Sequence, residues 1–437
     1  MNKIRSLVRK HRWWILVVVL ATVAGWPVEA QNPEPQPTRY LLGKAYHIPS
    51  EYTNQESGYF SIIEGKNGRL YIGTAKYGVN AYLVEFNPLN SMMQMVVDVH
   101  RVIMTMVRGF MAQAKIHTRN NVGQLTGKIY FGSKQGYPDK SEKRTDYPGG
   151  YVMAYDPKTG QTENFGLPQK HFGIISVTPD EHRGLCYIST CDDGRPIEKS
   201  HFMVLDLKTK KYRDFGDTGH SYAFIVLDDQ GRAYHPVRGG TIARFDPASD
   251  KLEKLQVTVD GEAAPRAITK DGAILNWEAS PDGKTLWCVE MSTNQLYSFD
   301  LTANTERMPG KRHGPLLAYT ESPTDCRAMC VDRKGKVWMG VTEQGRAGGP
   351  RCHLVSYTLG DKMPRDHGTV GIANPDYIKL HDDNGKLKPW HHTLRKEKDG
   401  TYTPWQPLGI AASADGSVNL LTLAPFTLIR FGPEQMK

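Results

Sequence analysis

A short segment that recurs seven times along the chain constrains its fold more than any other feature. Each copy is a turn ending in glycine, followed at once by a strand with an aromatic or apolar pair, as in NGRLYIGT at 67–74. The turn glycines are Gly68, Gly127, Gly184, Gly231, Gly283, Gly335 and Gly416. They are 59, 57, 47, 52, 52 and 81 residues apart, as expected for a repeat of four short strands with loops of variable length.

Two further strands accompany each turn. A strand with an aromatic residue near its end follows the turn, as in YLVEFNP at 82–88, and another strand precedes it, as in YFSIIEG at 59–65. The pattern predicts an all-β fold, a seven-bladed β-propeller. Because the last copy ends on the strand TLIRFGP at 427–433, we expect residues 40–48 to supply the outer strand of that blade and close the ring.

The amino terminus predicts export to the periplasm or secretion. Residues 1–30 combine a basic stretch, an apolar run and the sequence VEA at 28–30, which resembles a small-residue cleavage site. Together these features predict a signal peptide. The apolar run is short for a membrane span, and an uncleaved anchor is the alternative. Residues 31–38 predict a linker, and residues 39–437 predict the propeller, with insertions at about 91–115 and 359–404. No stable membrane span is expected once the leader is cleaved.

Charge and cysteine content narrow the function classes. The formal net charge of +9 includes the basic leader, so the mature chain is only mildly basic; this allows an anionic partner and disfavours nucleic acid. Six cysteines in an oxidising compartment allow one to three disulfides of undetermined pairing. Cys326 and Cys330 lie four apart on one strand, which predicts that their side chains share a side. The absence of a GxSxG motif disfavours a serine hydrolase.

Candidate site residues follow from the topology of the repeat. Inner strands begin on one face of a propeller, and the loops after the second strands return to that face, so residues at both places converge on one mouth of the channel. The candidate substrate-binding residues at these places are Tyr137, His171, His220, Tyr222, His235, Trp277 and Arg327. Alternation along KIHTRN also predicts that Lys115, His117 and Arg119 share one side of a strand. For any single histidine, a structural role in the core is an equally good interpretation.

Residues 115 to about 247 carry a resemblance to a known family. The segments KIHTRNN, GKIYFGSKQGYP, PGGYVMAYDPKTG, GIISVTPDEHRGLCYIST and HFMVLDLKTKKYRDFG resemble the propeller polysaccharide lyases typified by ulvan lyases, and more distantly oligogalacturonate lyases. The resemblance implies β-elimination on a uronate-containing polysaccharide or oligosaccharide. It also implies a site made of two histidines, a tyrosine and an arginine.

Carried onto this chain, the family pattern fits in part. His117 matches the first histidine, and Tyr187 is the best match to the tyrosine. Lys134 or Gln135 stands where the family has its second histidine, and the arginine has no clear counterpart. The resemblance therefore implies His117, Tyr187 and Lys134 as catalytic residues, with a departure at the second histidine.

Two other function classes stay open. The phrases SPDGKTLWCVE and DRKGKVWMGV also resemble gluconolactonase and streptogramin-lyase propellers, which hold a divalent metal at the channel. Candidate metal ligands for that reading are Glu278, Glu290 and His235. The third class is a propeller that binds a glycan or a protein without catalysis.

Overall fold

The computed structural model describes most of the chain after residue 38. The described residues are 39–54, 60–194, 199–217, 219, 224–237, 240–264, 276–289, 295–320, 324–344, 349–379, 381, 383–386, 394–423 and 425–436. The predicted signal peptide and linker lie outside them. None of the helices in this part of the chain has the length and apolar character needed to cross a membrane.

The described strands pair in successive four-stranded antiparallel sets, which we call blades one to seven. Blade one is β2 (Ile62–Glu64), β3 (Leu70–Gly73), β4 (Tyr82–Asn87) and β5 (Met92–Asp98). Blade two is β6 (Lys115–Ile116) and β7 (Asn121–Val122) as one broken inner strand, with β8 (Ile129–Lys134), β9 (Val152–Tyr155) and β10 (Thr162–Gly166). Blade three is β11 (Gly173–Asp180), β12 (Leu185–Cys191), β13 (His201–Asp206) and β14 (Tyr212–Asp217).

The remaining blades repeat this order. Blade four is β15 (Val226–Leu227), β16 (Ala233–Val237), β17 (Thr241–Asp246) and β18 (Lys251–Val259), with β19 (Glu262–Ala263) at its edge. Blade five is β20 (Asn276–Ala279), β21 (Thr285–Val289), β22 (Gln295–Asp300) and β23 (Arg307–Pro315). Blade six is β24 (Thr324–Val331), β25 (Val337–Glu343), β26 (Arg351–Tyr357) and β27 (Arg365–Ile372), with β28 (Leu394–Lys396) and β29 (Tyr402–Pro404) beside it. Blade seven is β30 (Pro407–Ala412), β31 (Val418–Thr422), β32 (Thr427–Phe431) and β1 (Tyr40–His47).

The amino-terminal strand closes the last blade, and this part of the prediction is confirmed. β1 pairs antiparallel with β32, with Ala45 opposite Ile429, and its first half pairs parallel with β27 of blade six. The predicted propeller is thus an all-β fold whose outermost strand in blade seven comes from the opposite end of the sequence. The helical content among the described residues is limited to α1 (Val99–Val102) and short 3-10 turns at Gly109–Met111, Arg144–Asp146, Pro375–Tyr377 and Pro433–Gln435.

The hydrophobic core is divided among the interfaces between neighbouring blades. Separate clusters of buried side chains lie between blades one and two, two and three, and so on around the ring, including one that joins blade seven to blade one. Glycines in the second strands of some blades allow neighbouring blades to approach closely. A Cβ at Gly132 would lie 2.5 Å from the Ile174 side chain, and one at Gly73 would lie 2.6 Å from Ile116, so these positions need glycine.

The structure places regular elements in both segments predicted as insertions and changes one expectation about the cysteines. Residues 91–115 contain β5, the outer strand of blade one, and α1, and residues 359–404 contain β27, the outer strand of blade six. The expectation that Cys326 and Cys330 share a side is wrong, because a bulge between Cys326 and Ala328 shifts the register. Cys326 packs between blades five and six, and Cys330 packs toward blade seven. All six cysteines lie in the described part of the chain, and no disulfide joins any of them.

We expect Ala45→Asp to destabilise the fold by about 3–5 kcal/mol, because it places an unpaired carboxylate in the cluster between blades six and seven. Ala45 is 1% exposed there. Lys44→Asp is the matched control, since the neighbouring side chain on the same strand is exposed. Urea unfolding of the mature chain measures both, and equal stabilities of the two variants would contradict closure of the ring by β1.

Candidate functional site

The inner strand of blade two is broken where the site residues lie. Lys115 pairs with Lys134 across the ladder, but beyond the break Asn121 pairs with Tyr130, so the inner strand has gained two residues. The residues between, 117–120, leave the ladder, and Thr118 Oγ1 accepts the Gly132 backbone N–H in place of a regular strand bond. The break frees the side chains of His117 and Arg119 to contact residues of other blades.

Arg119 reaches from blade two to blade five. Its guanidinium donates to the Glu278 carboxylate and to the backbone oxygen of Trp277 in blade five. It also lies over the ring of Phe224, 4.6 Å from the centroid. Phe224 in turn contacts Phe60, and Phe60 contacts the His117 ring, at centroid distances of 5.4 and 5.5 Å. These contacts connect His117 through two aromatic side chains to the Arg119–Glu278 ion pair.

A buried ion pair forms the wall beside His117. Lys134 Nζ lies 2.9 Å from Asp193 Oδ1, and the two side chains are 0% and 4% exposed. Lys134 Nζ is also 3.9 Å from Cys191 Sγ, which accepts the backbone N–H of Asp193 at 3.3 Å. Asp193 has a φ of 57°, a left-handed conformation that is uncommon for a residue other than glycine. A Cβ at Gly173 would overlap the Lys134 side chain, so that glycine makes room for the lysine.

Lys115 connects this buried layer to the surface. Its Nζ lies 5.3 Å from the ring centroid of Tyr77 and 4.8 Å from that of Tyr137, and the two rings are 5.4 Å apart. Lys115 is 2% exposed, whereas Tyr137 is 63% exposed. The two tyrosines therefore cover a cation and present their rings at the mouth, an arrangement typical of a cation–π site.

His117 is neutral in this setting. Burial lowers its pKa well below the usual value, the positive charges of Lys134 and Lys115 lower it further, and Asp193 opposes them. A neutral imidazole is able to accept a proton at neutral pH. The lowered pKa keeps His117 in its neutral form, which is the form of a candidate proton acceptor, and also makes it a weaker base than an ordinary imidazole.

Gln113 organises the loops behind the site. Its Oε1 accepts hydrogen bonds from Ser133 and Tyr147, and its Nε2 donates to the backbone oxygen of Gly149. His171, a predicted binding residue, lies behind this network, with Nδ1 2.8 Å from the Tyr147 backbone oxygen. His171 therefore supports the loop and does not line the pocket with His117. The sequence carries no motif at Gln113, and we found it only from these contacts.

Other predicted site residues belong to the core. Tyr187 is fully buried and packs on Phe202 and Phe245, and its hydroxyl donates to the backbone of Gly231 at a turn of blade four. Burial raises its pKa above the ordinary value. The implied catalytic role of Tyr187 is corrected on these grounds, because the aromatic position it occupies serves packing between blades. Trp277 is likewise buried, with its indole N–H donating to Phe224.

Arg327 and the metal candidates also lie apart from His117. Arg327 Nε donates to both carboxylate oxygens of Asp325 at 2.9 Å in blade six. His235 is buried next to Ser189, at 3.3 Å, and Glu278 is engaged by Arg119. Within the described residues no three His, Cys, Asp or Glu side chains meet in a way that could hold a metal ion. The remaining predicted residues, His220, Tyr222 and Glu290, lie outside the described residues.

Comparison with known proteins supports the fold. No family model matches the chain, and no curated protein matches it. A chain of the mitotic checkpoint complex matches with a TM-score of 0.54 at 10% identity, covering 95% of this chain and 98% of that chain. The extracellular domain of a hybrid two-component system from B. thetaiotaomicron matches with a TM-score of 0.51 at 11% identity, covering 89% of this chain and 39% of that chain.

A third structure, YCF48 bound to D1 peptide, matches with a TM-score of 0.50 at 12% identity and covers 90% of this chain and 96% of that chain. The fold is a β-propeller. At these identities the likeness shows the fold alone, so the propeller's function must come from its site.

Burial of His235 predicts that the propeller loses stability in acid. Its pKa is lowered to about 3 by burial, below an unfolded value of about 6.5. The contribution of His235 to the free energy of unfolding is fully present above the pKa that it has in the unfolded chain. It is lost as the pH falls, because the unfolded chain binds a proton that the folded chain excludes. We expect this one histidine to remove about 3 kcal/mol between pH 6.5 and pH 4. His235→Gln should flatten the dependence measured by urea unfolding, and His182→Gln, at an exposed histidine, should not.

Proposed function

We propose that the protein is exported and acts on an anionic, uronate-containing polysaccharide at the mouth lined by Tyr77, Tyr137 and Lys115. The observation that carries this proposal is that Lys115 lies against the rings of Tyr77 and of exposed Tyr137, while the charges of Lys115, Lys134 and Asp193 act on His117. Cationic donors bind carboxylates through charge-assisted hydrogen bonds, and exposed aromatic rings supply a flat apolar surface with a polar edge for a sugar.

Export is supported by the leader-like composition of residues 1–30. One of the similar structures is an extracellular domain, which is compatible with this location.

The chemistry that suits these groups best is β-elimination. Lys115, which lies beneath the tyrosine rings, would neutralise the uronate carboxylate, and this makes the proton on the adjacent carbon more acidic. Neutral His117 would accept that proton, the C–H electron pair would form the new C=C bond, and the bond from the next carbon to the leaving sugar oxygen would break. We assign the proton returned to that oxygen to the Tyr137 hydroxyl, which is exposed at the mouth.

Binding without cleavage is the second candidate. It is favoured by the position at which the lyases that the sequence resembles have their second histidine, because Lys134 or Gln135 stands there and Lys134 is fully buried against Asp193. A lysine held in this ion pair supplies charge, and the histidine that the resemblance implies is missing.

The deciding experiment offers the mature protein a panel of uronate polysaccharides, with and without a chelator. Absorbance of the conjugated unsaturated uronate reports elimination, and isothermal titration calorimetry reports binding. A rise in absorbance supports the lyase, and binding without a rise supports the second candidate. Neither signal on any substrate would reject the proposal, and activity lost with the chelator would redirect it to a metal-dependent enzyme.

A further inference from the structure

A groove on the rim of blade one lies next to the proposed site. Its volume is about 500 Å³, within the range of pockets that hold small ligands. The groove is lined by Asn80, Tyr82, Arg101, Met104, Met106 and Arg108. It is formed by α1 and the loop that follows, which lead directly into β6 and Lys115.

Two arginines give the groove a positive charge. Arg101 and Arg108 are exposed, and neither forms an ion pair with another described residue. Asp98 also lines the groove, and its carboxylate accepts the Asn80 side-chain amide and the Arg101 backbone N–H, so the two arginines leave the groove with a net positive charge of about one. Burial lowers the pKa of His100, Asp98 opposes this, and the charge of Arg108 lowers it further. Such arginines are suited to bidentate binding of a carboxylate or sulfate.

The groove and the mouth share one loop of blade one. Asn80 lines the groove, while Tyr77, three residues earlier, contacts Tyr137 at the mouth. The Gly109 backbone N–H donates to Gly78 at 3.1 Å, which holds the groove loop against the mouth loop. Met104 and Met106 are 92% and 91% exposed and provide apolar contact surface along the same loop.

We infer that this groove is a second subsite for the polyanionic chain, in which Arg101 and Arg108 bind an acidic group of a sugar remote from the one at Lys115. The inference rests on the proposed function. A uronate polymer carries acidic groups at regular intervals, so a chain seated at the mouth presents a further one along the same face. Engagement of both positions raises affinity for long chains, because the second contact becomes intramolecular.

The test compares galacturonate oligomers of two and eight residues by isothermal titration calorimetry. His117→Ala is the common background, so that cleavage does not consume the ligand. We expect the octamer to bind more tightly than the dimer, and Arg101→Gln/Arg108→Gln to weaken octamer binding about 10-fold while leaving dimer binding unchanged. The control variant Arg307→Gln/Arg312→Gln removes the same charge from β23 of blade five. It should still bind the octamer more tightly than the dimer.

The outcomes separate this inference from the proposed function. Equal affinities for dimer and octamer, or a gain that survives Arg101→Gln/Arg108→Gln, would overturn the second subsite and leave the mouth intact. If the blade-five control loses as much octamer affinity, the loss comes from net charge, and this result would also overturn the second subsite. Failure of the His117→Ala parent to bind either oligomer would overturn the subsite for this polymer, and the absence of both signals on every polysaccharide of the panel would reject the proposed function.

Discussion

His117→Ala is expected to abolish formation of unsaturated uronate while the propeller stays folded. General-base catalysis contributes about 10²–10⁴-fold, so the initial rate should fall at least about 100-fold. The fold should persist because the ring of His117 contacts Phe60 at the channel and is not part of an interblade cluster. The rate is measured as the increase in absorbance of the product, and circular dichroism confirms the fold.

His182→Ala is the control for this experiment. His182 is exposed in a turn of blade three, so its removal changes the same residue type without touching the channel. Full activity in His117→Ala would exclude this histidine as the proton acceptor. An equal loss in both variants would point to a general effect on the protein and count against a specific role for His117.

Asp193→Asn is expected to destabilise the propeller by about 3–5 kcal/mol. It removes the carboxylate that contacts Lys134 Nζ, and both side chains are almost completely buried. Breaking a buried pair from one side is strongly destabilising, because a charge is left where water cannot solvate it. Urea unfolding at neutral pH measures the change.

Two variants sharpen this test. Asp192→Asn changes the preceding residue, whose carboxylate accepts the backbone N–H groups of Gly194 and Lys199, and an amide oxygen can keep those bonds. We expect it to alter stability by less than about 1 kcal/mol. Lys134→Met/Asp193→Ala removes both charges and should recover much of the loss. Equal stability of Asp193→Asn and the parent would show that the pair does not hold this wall together.

The fold was predictable because its signals are local and repeated. Each turn glycine precedes a strand of the pattern, and the missing outer strand of the last blade pointed to residues 40–48, where β1 lies. The error at Cys326 and Cys330 has a physical cause. Strict alternation fails at a bulge, and nothing in the local sequence marks the extra residue at that position.

The candidate site was less predictable because it depends on contacts between distant residues. Lys134 and Asp193 belong to different blades, and only the fold brings their charges together. The contact of Arg119 with blade five follows from the two extra residues in the inner strand of blade two, which the motif KIHTRNN does not reveal. Tyr187 was misassigned because a strand aromatic that packs and one that reacts look alike in sequence.

The pairing of β1 with both β27 and β32 has a consequence for biogenesis. β1 finds its strand partners only when residues 365–372 and 427–431 have been synthesised. Until then the waiting partner strands expose unpaired backbone groups that invite association with other chains. Folding of this chain therefore benefits from any contact that covers the open edge until β1 has joined its two partner strands.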